Sequence, residues 1–249
     1  MNAITFSLIG VLTTPIREEI TNYEQKRREF LIYELLTERY DISRPQFDRA
    51  LQNTNNTINF ERNERGFEYG VGRLTNLLLT NLSIVPEYQV RIRIEQIFVN
   101  SLFNLQIQPR SESYSVLSHL KREGFKLGLI VNTMDSSGDA YRELVAKNLG
   151  LGNIFDSMTF SNEVGFSKPH PLIFGAAQTE LGIENPQDII HVGENLIDDI
   201  FGATRVKFRT IYFQNNKTSS LNIEGISPEF NINQLNELLG KIKEIPWQI

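Results

Sequence analysis

Few side chains in this sequence could act as a nucleophile or as a general base. The chain contains no cysteine, which excludes a thiolate nucleophile, a disulfide and a zinc–thiolate site. Ser7 follows an apolar stretch and would need a base within hydrogen-bond reach to attack an electrophile. Of the three histidines, His119 is expected on a helix face and His170 in a solvated turn. His191 is the candidate base for Ser7, although a histidine on a buried strand is more often ordinary packing.

Alternating strand and helix patterns position these side chains. Residues 3–9 are apolar on both faces, as expected for a strand that is covered on both sides. After residue 109 the predicted strands are 125–131, 157–161, 188–192 and 209–213, and the predicted helices are 114–123, 136–149, 169–181 and 195–206. This alternation predicts an α/β fold with a parallel sheet and right-handed crossovers. One more helix is predicted near 232–242.

Residues 15–108 have helical patterns throughout. Helices are predicted from about 17 to 40, from an N-cap at Ser43, over 67–82 and from Pro86 onward. Residues 53–63 are predicted to be a polar connection, and 90–94 alternate in a way that would also suit a strand. The basic run 26–28 is expected to be a solvated helix face. The predicted domains are therefore a core of residues 1–14 and 109–249 and a helical block of residues 15–108.

Composition limits the classes of partner. The formal net charge of −5 disfavours a nucleic-acid ligand, because such proteins need a basic face. No apolar run reaches the roughly 20 residues of a membrane-spanning helix, so no membrane role is predicted. The N-terminal stretch lacks the features of a signal peptide, and a cytoplasmic location is expected.

Three stretches resemble the haloacid dehalogenase (HAD) superfamily, a large group made up mostly of phosphatases. LSHLKREGFKLGLIVNT is similar to the family's second-motif strand and the helix before it. NIFDSMTFSNEVGFSKPHPLIFGAAQTELGI is similar to the segment with its third-motif lysine, and IIHVGENLIDDIFGATRVKFRTIYF to its acidic fourth motif. They lie in the family's order and spacing. The resemblance implies a Rossmann-like parallel-sheet core with an all-helical cap inserted after the first strand.

The resemblance also implies a phosphotransfer site at the ends of the strands. In the family, an aspartate after the first strand forms an aspartyl-phosphate, and a second aspartate two residues later acts as acid and base. Ser7 falls at the first position and Ile9 at the second, and an isoleucine cannot transfer a proton. Val131 falls where a phosphate-binding serine or threonine is expected, and Asn132 follows with an amide that could still donate.

The remaining site positions are charged. Lys168 matches the family's lysine, Glu194 replaces the first fourth-motif aspartate, and Asp199 matches the second. The candidate catalytic positions are thus Ser7, Asn132 and Lys168, the candidate ligand-binding residues are Asn132, Lys168 and Glu194, and the candidate metal ligands are Glu194 and Asp199. Because the local charge is near −1, Mg²⁺ binding is expected to be weak or absent, and Lys168 could bridge the two acids. No other cofactor is expected.

Three classes of function follow from these substitutions. The favoured one is a non-catalytic relative that binds a protein partner or a small molecule, in a binding, regulatory or assembly role. The alternative is an active hydrolase of a phosphate ester or a small organic acid that uses non-standard residues. The third is a purely structural subunit, and a homo-oligomer is compatible with the sequence. Dehalogenase-type relatives lack the second aspartate but keep the first, so Ser7 decides the preference.

Overall fold

A parallel sheet forms the centre of the protein. The computed structural model describes residues 2–214 and 225–247. Six strands in these residues pair in the order β3-β2-β1-β4-β5-β6, with all pairs parallel: β1 Ala3–Phe6, β2 Lys126–Val131, β3 Ser157–Phe160, β4 Ile189–Gly193, β5 Arg209–Phe213 and β6 Phe230–Ile232. In the register, Phe6 of β1 lies between Leu129 of β2 and Val192 of β4. The predicted α/β fold is confirmed.

Helices cover both faces of the sheet. They are α5 Ser113–Arg122, α6 Gly138–Glu143 (continued by a wider turn, Leu144–Asn148), α7 Ser161–Val164, α8 Pro171–Leu181, α9 Gly202–Arg205 and α10 Leu238–Glu244. The side chains of Ile4, Phe6, Leu127 and Leu129 are fully buried in the main apolar core, whereas Ala3 and Ile130 pack into a second cluster with α8. Burial on both faces explains why these strands read as continuous apolar runs.

The segment between β1 and α5 contains α1 Glu18–Thr37, α2 Arg44–Arg65, α3 Val71–Asn81 and α4 Tyr88–Asn104. These helices share an apolar cluster that includes Ile32, Phe47, Leu78 and Ile94. Ser43 is the N-cap of α2 and forms a capping box with Gln46, in which the Ser43 backbone N–H donates to Gln46 Oε1 at 2.8 Å. We call this four-helix segment the cap. The exact domain boundaries stay a prediction, since Leu102 and Ile107 pack into the main core.

Two local predictions differ from the structure, and a third is confirmed. Residues 53–63 belong to α2, because Thr54 and Ile58 supply a buried face that the polar composition obscures. Residues 90–94 are helical in α4, as predicted from the helix that starts at Pro86, although their alternation would also suit a strand. The strand β6 lies where the last helix was expected to begin, and α10 follows it. Trp247 packs against Phe125 with ring centroids 5.3 Å apart, which places the C-terminal segment beside the sheet.

No helix within the described residues is long and apolar enough to cross a membrane.

Candidate functional site

The backbone after β1 delivers Ser7 to the carboxyl end of the sheet. The Ser7 N–H donates to the Val192 carbonyl at 3.0 Å, which extends the pairing of β1 with β4 by one residue. The chain then turns through Leu8–Leu12, where Gly10 has a φ of +80°. Ligands of open parallel sheets bind at this edge, and it is here that the predicted site residues meet.

Ser7, Lys168 and Asp199 form one buried cluster. The Lys168 ammonium donates to Ser7 Oγ, to Asp199 Oδ1 at 2.7 Å and to the Ile130 carbonyl at 3.2 Å. Ser7 Oγ donates in turn to Asp199 Oδ1 at 2.6 Å. The exposed fractions of Ser7, Lys168 and Asp199 are 4%, 8% and 2%. The serine hydroxyl is therefore held between an ammonium and a carboxylate, away from solvent.

Asp199 is the electrostatic centre of this cluster. Its Oδ2 accepts hydrogen bonds from the backbone N–H groups of Glu194 and Asn195, both at 3.0 Å. Burial alone would raise the pKa of Asp199, but the Lys168 charge and the hydrogen bonds from His191 and Lys168 outweigh it and hold this pKa well below its usual range. A carboxylate that stays ionised so firmly is a poor base for the Ser7 hydroxyl.

His191 does not contact Ser7 through either ring nitrogen. Its Nδ1 lies 2.9 Å from Thr5 Oγ1, and its Nε2 lies 3.4 Å from Asp199 Oδ1. Burial lowers the pKa of His191 more than Asp199 raises it, which favours a neutral ring. The ring also packs edge-on against Phe174. His191 thus belongs to the packing around Asp199, and the weak Ser7–His191 alternative has no geometric support.

Asn132 and Glu194 have local partners of their own. Asn132 Oδ1 accepts the Lys168 N–H at 2.7 Å, and its Nδ2 donates to the Lys168 carbonyl at 3.1 Å, so this amide positions the lysine-bearing loop. The Glu194 carboxylate lies directly over Gly10. A Cβ added at Gly10 would come within 2.0 Å of that carboxylate, and the positive φ there also requires glycine.

Mg²⁺, which the resemblance implies, does not fit this arrangement. The Lys168 ammonium already lies against Asp199 Oδ1, and Asp199 Oδ2 is engaged by two backbone N–H groups. Within residues 2–214 and 225–247, no group of three or more histidine or acidic side chains converges to hold a metal ion. Mg²⁺ prefers several hard oxygen ligands, and Asp199, one of the two predicted metal ligands, already shares its carboxylate with Lys168.

A cavity of about 420 Å³ lies between the cap and the core, beside this cluster. Its walls come mainly from α1, α4, α6 and the loop after β2, and they include Ile9 and Asn132. Of the described residues, the lining does not include Ser7, Lys168 or Asp199. Ile9, which the resemblance places at the position of an acid and base, therefore lines the cavity, whereas the polar cluster of Ser7, Lys168 and Asp199 is buried outside the lining.

Two cap–core contacts were not visible in the sequence. Arg28 pairs with Asp135 at 2.9 Å and has a side-chain exposure of only 16%, so the expectation of a solvated face is wrong for Arg28. Lys26 and Arg27 are exposed as expected. Glu68 is buried, pairs with Arg62 at 2.8 Å within the cap and accepts from Ser161 Oγ at 3.3 Å. Each cap–core pair joins residues about a hundred positions apart, which no periodicity reveals.

Comparisons with known proteins agree with the fold and its cap. The family model described as haloacid dehalogenase-like hydrolase matches residues 2–206. The chain is 28% identical to a glyceraldehyde 3-phosphate phosphatase of Methanopyrus kandleri over 72% of this chain and 76% of that protein. It is 26% identical to the pyrimidine 5′-nucleotidase YjjG of Escherichia coli over 69% of this chain and 74% of that protein.

A solved structure shares the whole architecture. The 2-haloacid dehalogenase of Pseudomonas syringae superposes with a TM-score of 0.73 over 98% of this chain and 99% of that chain, at 19% identity. Because the family match runs from the first strand to beyond Asp199, this protein belongs to the haloacid dehalogenase-like hydrolase family.

Proposed function

We propose that this protein is a member of the family that has lost aspartate-based chemistry and uses the cap–core cavity to bind a ligand without turning it over. The observation that carries the proposal is the position of Ser7. Its hydroxyl stands where the nucleophilic carboxylate of the family is expected, bonded to both Lys168 and Asp199 and 4% exposed.

The described site lacks the base, the acid and the free metal ligand that the covalent mechanism needs. A serine nucleophile needs a base, and the two polar side chains bonded to Ser7 are a lysine that forms an ion pair and a carboxylate with a lowered pKa. Ile9 cannot donate a proton to a leaving group. Hydrolases of this family typically use Mg²⁺, and the site offers Asp199 already neutralised by Lys168.

Binding is supported by what remains around the site. The cavity is of the size that small-molecule sites commonly have, and both the cap and the core contribute to its walls. The cap is joined to the core by Arg28–Asp135 and by Glu68–Ser161. A protein that had become purely structural would have no need to keep such a cavity, and for this reason we place ligand binding before an assembly role.

A working hydrolase is the second candidate, and the relatives favour it. The two relatives described above are named as a glyceraldehyde 3-phosphate phosphatase and a pyrimidine 5′-nucleotidase. Lys168 and Asp199 stand where the resemblance predicts the family's lysine and second fourth-motif aspartate. Under this alternative Ser7 itself would attack the substrate. The two candidates differ in one measurable property, namely whether turnover depends on the Ser7 hydroxyl.

The test is hydrolysis of p-nitrophenyl phosphate with and without Mg²⁺, using the wild type and the Ser7→Ala variant. We expect both proteins to release p-nitrophenol at the same rate as buffer. A Ser7→Asp/Ile9→Asp variant serves as the positive arm, because it restores both carboxylates beside Lys168 and Asp199, and its rate is expected to rise with Mg²⁺. Wild-type turnover that disappears in Ser7→Ala would overturn the proposal and establish the hydrolase.

A further inference from the structure

We infer that the cap–core cavity takes an uncharged, mainly apolar small molecule rather than a phosphate ester or another anion. This inference rests on the proposed function, because it names the class of ligand for the same cavity. It is drawn from the walls of the cavity and from the charges that line it.

The walls are mainly apolar. The cap contributes aliphatic and aromatic side chains, and the core contributes Ile9, the loop after β2 and α6. The lining residues with mainly apolar side chains are Ile9, Ile16, Phe98, Leu102, Leu105, Met134 and Tyr141. Ile9 is the decisive one of these, because it puts a branched alkyl group where the resemblance to phosphatases implies a carboxylate. Contact with these side chains favours apolar ligand surface.

The charged groups of the lining already have partners. Arg28 is paired with Asp135 at 2.9 Å, and its guanidinium lies 4.8 Å from the centroid of the Phe98 ring. The Glu24 carboxylate accepts from Arg27 and from Asn104, each at 2.9 Å. The described lining thus contains two acids and one base.

An anion in this cavity would meet one cation among the described lining residues, Arg28, and that guanidinium is already paired with Asp135. Replacing the hydration of an anion requires donors that are free to turn toward it. The amide of Asn132 is bonded to the Lys168 backbone, and the Thr133 N–H donates to Ser161 Oγ at 2.8 Å. An uncharged ligand loses far less hydration energy and does not require such donors.

A pair of fluorescent probes tests this inference. N-phenyl-1-naphthylamine is uncharged, apolar and has one N–H, whereas 1-anilinonaphthalene-8-sulfonate has the same rings with an added sulfonate. We expect saturable binding of the neutral probe to the full chain and at least tenfold weaker binding of the sulfonate. Equal binding of both probes, or tighter binding of the sulfonate, would overturn the uncharged ligand class.

Variants connect the binding to this cavity. Ile9→Asp places a carboxylate in the floor, and Met134→Asp places one at the rim, where Met134 is 46% exposed and tolerates the change. Each substitution is expected to weaken binding of the neutral probe about tenfold. Val85→Asp is the matched control, because Val85 is 95% exposed and lies outside the lining. This variant should bind the neutral probe with the affinity of the wild type. If Met134→Asp leaves the affinity unchanged in a folded protein, the site is elsewhere and the inference fails.

The phosphatase assay separates this inference from the proposed function. Probe binding without turnover supports both. Turnover of p-nitrophenyl phosphate that depends on Ser7, together with selective binding of the neutral probe, overturns only the non-catalytic proposal. Absence of turnover without saturable binding of the neutral probe overturns only the ligand class.

Discussion

Lys168 and Asp199 lie beside Ser7 as an ion pair, so the positive charge of one compensates the negative charge of the other. Lys168 and Asp199 neutralise each other at 2.7 Å, and Ser7 adds a hydroxyl where the family's site would add a carboxylate. An ion pair of this kind contributes by avoiding an uncompensated buried charge more than by any net attraction. At the residue scale, Lys168 is therefore expected to behave as a structural counterion.

This expectation predicts a large loss of stability in Lys168→Met. Removing the ammonium leaves Asp199 buried and unpaired, which typically costs about 3–5 kcal/mol in the free energy of unfolding. Urea denaturation of the wild type and the variant measures this difference. The matched control is Lys121→Met, because Lys121 pairs with Asp156 at the same 2.7 Å but is about one-third exposed. That change should cost less than about 1 kcal/mol. Equal losses in both variants would contradict the assignment.

Asp198 predicts a pH dependence of stability. Burial and the neighbouring charge of Asp199 raise the pKa of Asp198 from 3.8 to about 6. Because this folded-state pKa exceeds the unfolded value, the folded protein binds more protons between the two, and the unfolding free energy falls as pH rises from about 4 to 6. Asp198→Asn should remove this fall and stabilise the protein by about 1 kcal/mol at pH 7.5, a value discounted because the residue is only half-buried.

Urea denaturation at pH 4 and pH 7.5 checks the sign. The two proteins should differ in unfolding free energy at pH 7.5 and converge at pH 4. A variant that is less stable than the wild type at the higher pH would show that the Asp198 carboxylate is favourably paired when ionised.

At the scale of elements, short backbone pairings hold the cap against the core. The Glu68 N–H donates to the Gly165 carbonyl at 3.0 Å, and the Ser167 N–H donates to the Gly66 carbonyl at 2.9 Å. Beside them the Phe166 ring lies 5.3 Å from Phe67. We call residues 66–68 and 165–167 the latch. Since these residues are far apart in sequence, their contacts open only when the cap separates from the core.

Phe166→Ala is therefore expected to accelerate amide hydrogen exchange at Glu68 and Ser167. Losing an aromatic pair costs about 0.5–1.5 kcal/mol, which corresponds to about 2- to 13-fold faster exchange if the latch opens locally. The amide of Leu129 in the central sheet is the internal control and should keep its protection. If Leu129 accelerates equally, the latch opens only with global unfolding, and the cap is not a separate moving element.

The same elements show what the sequence could and could not predict. The alternation after residue 109 predicted four of the strands within a few residues, and the apolar stretch 3–9 predicted β1, because each is a continuous apolar run. The strand β6 was missed since it has three residues and a weak pattern. The polar stretch 53–63 obscured the middle of α2, whose buried face is supplied by a few residues such as Thr54 and Ile58.

The site was predictable only in part. The resemblance placed Ser7, Lys168 and Asp199 at homologous positions, and the parallel sheet brings them together. It could not show that Asn132 is bonded to the Lys168 backbone or that Arg28 faces Asp135, because such partners depend on how the cap and the core meet. Lys26 and Arg28 look alike in a charge run, and only the packed structure separates the exposed residue from the half-buried one.

At the scale of the whole molecule, the cap is an insertion whose two ends lie together. Thr13 forms an antiparallel bridge with Pro109, and the Thr14 N–H donates to the Gln108 carbonyl at 3.0 Å. The cap also has its own apolar cluster, separate from that of the sheet. These facts favour two folding units, whereas Leu102 and Ile107, which pack into the main core, favour one.

Replacing residues 15–108 by a short Gly/Ser linker distinguishes these possibilities. We expect the remaining core to unfold cooperatively, because the neighbouring ends of the insertion need only a short connection and the central sheet keeps its own buried side chains. Its unfolding free energy should fall by several kcal/mol, since a buried leucine or isoleucine alone contributes about 2–5 kcal/mol. Binding of the neutral probe should disappear as well, because half of the cavity wall belongs to the cap. Loss of cooperative unfolding would show that Leu102 and Ile107 make the cap and the sheet a single folding unit, and the predicted domain boundaries would then be wrong.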